Sequence, residues 1–154
     1  MIRVTWLALP WVLAFVLPAA AGEGGYDRWA ILAPPQPYAS GLADLLTARL
    51  SGAAGIELVE RAELKAISRE LVLSNLLGAN AAGRLELGRR VKADALLVLG
   101  EELVEGKRAV RVVICDCRLG ARLVSERHLC TREGLDELAA AIARTVAATR
   151  ERFR

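Results

Sequence analysis

Ile56-Glu57-Leu58-Val59-Glu60-Arg61 opens the stretch that decides the fold, and Ala95-Leu96-Leu97-Val98-Leu99-Gly100 closes it. Between them lie an amphipathic pattern from Ala62, with Leu64, Ile67 and Leu71 on one side, a connection over Ser74 to Asn80, and a second helical pattern near Ala81 to Val91. Strand, two helices and strand within roughly 45 residues make a crossover unit of an α/β sheet. Asn80 can cap the second helix. Gly83 and Gly88 each cost that helix roughly 1 kcal/mol relative to Ala, so they predict close approach to a neighbour.

Toward the N-terminus, Arg28-Trp29-Ala30-Ile31-Leu32-Ala33 is a short apolar run stopped by Pro34-Pro35, which suits a strand buried on both faces. Pro35, Pro37 and Tyr38 make a stiff loop. Ser40 then caps a helix carrying Leu42, Leu45, Leu46 and Leu50 on one face, ended by Gly52. Toward the C-terminus, Lys107 to Arg118 and Ala121 to Leu129 read as strands joined at Leu119-Gly120, with Glu105-Gly106-Lys107 as the turn before them. A final helix runs from Leu135 to about Arg152, with Leu138, Ile142 and Val146 continuing the stripe toward Phe153. The predicted class is α/β (α+β): a mixed sheet of about five strands in the order β-α-β-α-α-β-β-β-α, with helices packed on it.

At 154 residues, 54% hydrophobic and 25% charged, the chain has room for one domain with a real core. Residues 1–21 read as a cleaved signal peptide: Arg3, the apolar run Trp6 to Leu17, and Ala19 and Ala21 before a cut at Gly22. The apolar run is about a dozen residues, broken by Pro10, against the roughly 20 that a spanning helix needs. No Cys follows it to accept a lipid. Residues 22–27 read as a flexible lead, and 28–154 as a single domain. Cleavage removes Arg3, one of 21 basic residues, and none of the 18 acidic ones, leaving a net charge of about +2. With acids and bases interleaved, that excludes nucleic-acid binding by bulk charge.

In order, Leu42-Ala43-Asp44-Leu45-Leu46, Leu58-Val59-Glu60-Arg61-Ala62-Glu63-Leu64, Leu87-Gly88-Arg89 and Ala93-Asp94-Ala95-Leu96-Leu97-Val98-Leu99-Gly100 resemble the successive motifs of the curli-assembly (CsgG) family. Val113-Ile114-Cys115-Asp116 before Leu119-Gly120 fits its hairpin. The likeness covers roughly Trp29 to Leu129. It implies an α/β fold shared with the amino-terminal domain of TolB and with a lipoprotein that activates penicillin-binding proteins. The curli channel is a lipoprotein with inserted membrane strands. This chain lacks a lipid-accepting Cys and any such insertion, so the resemblance implies a soluble periplasmic relative and no pore.

No catalytic constellation emerges, and no cofactor or metal is expected. His128, the one histidine, has no Cys, His or carboxylate cluster at ligand spacing around it. Glu101, Glu102 and Glu105 sit at a strand end, where acids blunt edges or serve turns, and Asp94 is placed to satisfy backbone donors. Cys115 and Cys117 share one strand face. A turn at Leu119-Gly120-Ala121 sets Arg118 opposite Arg122 and Cys130 opposite Val110, about 17 to 23 Å along the ladder from the pair. A disulfide tolerates about 7 Å between Cα atoms, so no bridge to Cys130 is expected.

The expectation is a non-enzymatic, periplasmic or secreted interaction domain, accessory to outer-membrane assembly, export or appendage biogenesis. It docks to an envelope protein or to its own copies, and meets the membrane only through a partner. Regulation of a peptidoglycan synthase is the alternative, and a small hydrolase or metal-binding protein the third reading. Loops on a rigid scaffold concentrate binding residues, which nominates Pro35, Tyr38, Arg61, Ser74, Asn75 and Asn80.

Overall fold

The computed structural model describes residues 25–60, 62–64, 80–130 and 134–153. Its elements are β1 (Arg28–Leu32), α1 (Pro37–Ser51), β2 (Glu57–Leu58), α2 (Ala81–Val91), β3 (Ala95–Val104), β4 (Lys107–Asp116), β5 (Arg122–Leu129) and α3 (Leu135–Arg152). One helical turn at 62–64 follows β2. The five strands form one mixed sheet in the order β2-β1-β3-β4-β5. β1 lies parallel to both β2 and β3, while β3, β4 and β5 run antiparallel.

Two apolar layers form because side chains alternate along each strand. Trp29, Leu97, Leu99, Val110, Val112 and Ile114 meet α1 and α3 through Leu42, Leu46, Leu138 and Ile142. Ala30, Leu32, Leu96, Val98, Val113, Cys115 and Cys117 meet Leu87 and Val91 of α2, and Leu64. The apolar runs of β1 and β3 are therefore buried on both faces, as the composition of β1 predicts. Asn80 caps α2 by accepting the Gly83 N–H at 3.0 Å. Gly88 is the close approach: a Cβ there would lie 2.4 Å from the Cys117 Cβ. Gly83 makes no such close contact with a neighbouring element: the nearest atoms to a Cβ there belong to the Asn80 side chain, at 3.2 Å.

Several boundaries differ from the sequence reading. α1 starts at Pro37, not after Ser40, because proline is preorganised for the first helical position. β2 is cut to two residues, and β3 runs on past Gly100 to Val104. Tyr26 and Asp27, assigned to the lead, are engaged: Tyr26 is 2% exposed, and the Asp27 carbonyl accepts the Glu57 N–H at 2.7 Å. The β4–β5 register also shifts. β4 ends at Asp116, an irregularity falls between Ile114 and Cys115, and Cys115 is the residue opposite Arg122. Val110 faces His128, and Cys130 donates to the Arg108 carbonyl at 2.8 Å. The turn is longer because Asp116 accepts the backbone N–H of Leu119 at 3.1 Å and of Arg118, drawing the chain into an Asx-type turn. The β3–β4 turn is tight, with φ of 51° at Glu105 and 75° at Gly106, the signature of a two-residue type I′ hairpin.

Candidate functional site

In an open α/β sheet the usual ligand crevice lies beyond the carboxyl ends of the strands, where successive connections leave in opposite directions. Here that point is between β1 and β3, under the N-terminus of α1. The first turn of the helix offers the Tyr38 and Ala39 N–H groups there, Pro37 having none, and its N-cap residue, Gln36, makes no side-chain cap. Glu101, on the far half of β3, fills the place: its Oε1 accepts the Ala39 N–H at 2.9 Å. Arg108 of the neighbouring strand sits 3.8 Å from the other carboxylate oxygen. An internal carboxylate thus occupies the place at a helix N-terminus where an anionic ligand is ordinarily held.

Tyr38 stands beside this cap. Burial, followed by the neighbouring Cys130 thiol and Glu101, pushes its hydroxyl up to about 12. Among the described residues that hydroxyl makes no hydrogen bond of regular geometry, and the Cys130 thiol is its polar neighbour. Pro35 is exposed at the same end. Asn80 is exposed at the opposite end of the sheet, where α2 starts against Gly120, so the structure does not bring it together with Pro35 and Tyr38. Arg61, Ser74 and Asn75 lie outside the described residues.

The other polar candidates are dispersed. Glu102 points to the opposite face from Glu101 and lies 2.6 Å from Arg127 Nε, an ion pair without aligned hydrogen-bond geometry. This pair spans β4 above Ala109, which is 1% exposed. Glu105 is in the hairpin turn. Asp94 accepts the Arg28 N–H at 2.9 Å and the Asp27 N–H at 3.2 Å, holding the start of β1. His128 contacts Glu126 at 3.3 Å, on β5. Among the described residues, no group of three His, Cys, Asp or Glu side chains is placed to hold a metal ion.

The three thiols are free. Cys115 and Cys117 share the α2 face, as the i, i+2 spacing predicts, while Cys130 packs on the other face. Burial raises all three thiols, Cys115 to about 11 and Cys117 to about 12. Those are the properties of apolar filler, since a reactive cysteine needs a lowered value.

Sequence reasoning missed a buried polar anchor. Asp116, 4% exposed, accepts the Tyr26 hydroxyl at 2.8 Å and organises the β4–β5 turn. Burial, and then that hydrogen bond, raise the Tyr26 hydroxyl, against an opposing effect from Arg118. Arg84 of α2, also buried, donates its Nε to the Gly120 carbonyl at 2.8 Å. An Asp closing an apolar strand before a turn is the available signal for the first.

Two sheet margins remain. At β2, a groove of about 470 Å³ is lined by Ile31, Thr47, Ile56, Leu58, Glu60 and Leu64, among others. At the far side, β5 presents eight residues with nothing paired to its outer side among the described residues. No helix among the described residues is long and apolar enough to cross a membrane.

No protein-family model and no curated protein matches the chain. Solved structures do. Lipoprotein GNA1162 from Neisseria meningitidis is 17% identical, with a TM-score of 0.52 over 79% of this chain and 96% of that one. The LpoB carboxy-terminal domain from Salmonella enterica is 15% identical, with a TM-score of 0.52 over 73% of this chain and 88% of that one. TolB from Acinetobacter baumannii is 11% identical, with a TM-score of 0.54 over 82% of this chain, which spans 28% of TolB. At these identities the likeness is one of architecture, and this chain has the α/β fold found in a TolB segment and in these lipoprotein domains.

Proposed function

We propose that this chain is a non-enzymatic interaction domain of the bacterial periplasm, accessory to assembly or export at the outer membrane. The observation that carries the reading is the Ala39–Glu101 cap. The crevice in which this architecture ordinarily takes a small ligand is filled by the chain's own carboxylate, leaving margins and loops as the functional surface. Fold likeness to a lipoprotein domain over 96% of its length supports an envelope setting. Accessory work in curli-like appendage biogenesis follows from the sequence resemblance.

A second reading is regulation of a peptidoglycan synthase. It is supported by the 88% span of the LpoB domain, against 28% for TolB. Crosslinking in intact cells, with mass spectrometry of what copurifies with the tagged chain, separates the two. An export or appendage component supports the first reading, and a cell-wall synthase replaces it with the second. Recovery of no partner and no crosslinked copies overturns both.

A further inference from the structure

The two margins of the sheet are built differently. β2 is two residues long, a length that prevents another strand from pairing. β5 is eight residues long, contains no proline, and is regular from Val124 to Leu129, its one irregularity lying at its start. Among the described residues it lacks the usual devices that blunt an edge, apart from its charges.

Its outward backbone groups can be assigned. The Cys130 N–H bonds to the Arg108 carbonyl, which makes that a narrow, hydrogen-bonded pair. Alternation then makes His128·Val110, Glu126·Val112 and Val124·Ile114 narrow as well. Ser125, Arg127 and Leu129 therefore turn their N–H and C=O groups away from β4. Leu129 is also 57% exposed, a large apolar side chain at an open edge.

We propose that β5 pairs antiparallel with β5 of a second copy, about a twofold axis at Arg127, joining the two sheets into one. This rests on the reading of the chain as an interaction domain. Only residues with outward backbone groups can face each other in narrow pairs, which confines the register. An axis at Glu126 sets that carboxylate against itself, and one at His128 sets the two imidazoles together. An axis at Arg127 places Glu126 of each copy opposite His128 of the other, and each His128 is already 3.3 Å from its own Glu126. Four groups then alternate in kind around the axis. On the opposite face Ser125 meets Leu129, and the two Arg127 side chains meet while each is held by its own Glu102 at 2.6 Å. Narrow pairs form at Arg127·Arg127, Ser125·Leu129 and Leu129·Ser125, two backbone bonds to each. The self-complementary order Glu126-Arg127-His128 is what selects a second copy over an unrelated strand.

Sedimentation velocity of the full chain across a concentration series tests this. A reversible dimer is expected. Ser125→Pro removes an outward N–H while the β4 ladder stays whole. Each unmade backbone bond is worth roughly a factor of two to ten, so the dimer dissociation constant should rise about tenfold. Glu126→Lys and His128→Glu should each weaken self-association, and an equimolar mixture of the two should restore a dimer, since each lysine then faces the other chain's glutamate. The charge variants keep the test intact if Ser125→Pro fails to fold. A monomer at every concentration overturns the proposal, as does a dimer indifferent to all three substitutions. A monomer that still crosslinks to an envelope protein in cells leaves the interaction reading standing, whereas one that crosslinks to nothing removes both.

Discussion

Glu101 on β3 accepts the Ala39 N–H of α1 at 2.9 Å, so a strand supplies the cap that the helix's own N-cap residue does not. Sixty-two positions separate the two residues, which makes this local-looking bond a tertiary one. Glu101→Ala is expected to lower unfolding free energy by about 1 kcal/mol, the usual worth of a cap. Glu101→Gln keeps an acceptor and loses only the charge at the positive helix end, about 0.3–1 kcal/mol. Urea denaturation of the two variants beside the parent gives the order.

Tyr26 and Asp116 form the buried polar anchor. Removing one partner strands the other, so Asp116→Ala should cost about 2–4 kcal/mol because two turn amides and the tyrosine hydroxyl lose their acceptor. Tyr26→Phe removes a single bond and should cost about 1 kcal/mol. A double-mutant cycle read by chemical denaturation should show coupling between them.

Gly88 tolerates no side chain against Cys117. Gly88→Ala forces a contact that real Cβ atoms do not make, and should destabilise by about 1–3 kcal/mol. Adding Cys117→Gly opens the space, so the double variant should lose less than the sum of the single changes.

Alkaline pH should weaken the fold through its thiols. Burial raises Cys115 to about 11 and Cys117 to about 12, from an ordinary value of 9.0. A raised folded value means the neutral thiol is favoured on folding. The contribution is full below pH 9 and is lost as pH climbs toward the folded values. Melting temperature should fall across that window, less steeply in Cys117→Ala. A thiol reagent at neutral pH should modify the half-buried Cys130 first, with the other two reacting on unfolding.

The mixed sheet and the chain order of its elements were legible because β1 and β3 announce themselves as continuous apolar runs, and α1 and α3 as stripes, whereas the insertion of β1 between β2 and β3 and the side each helix takes were not. What sequence could not carry were contacts whose cause is remote. Tyr26 follows a glycine-rich lead, and nothing local marks it as buried; its hydrogen bond lies 90 positions away. The start of α1 was misplaced because Ser40 is a good cap by type, while the actual cap comes from β3. The register of Cys130 was off by two because Asp116 widens the turn, a choice between turn geometries that the residues Leu119-Gly120 leave open. Among the docking candidates, Tyr38 sits beside the Glu101 cap, which its position in a proline-rich loop did not foretell.

The two-residue turn at Glu105-Gly106 also has a temporal meaning. β3 and β4 close on each other at almost no loop entropy, and β5 follows after one further turn. β1 finds only the two residues of β2 nearby and must wait for its longer partner, which begins at Ala95, far later in the chain. A chain that emerges from its N-terminus therefore leaves Ile31 and Leu32, which β2 does not reach, unpaired until the meander exists to receive them. The interval before β1 inserts between β2 and β3 is when such a chain is most open to a chaperone or a protease.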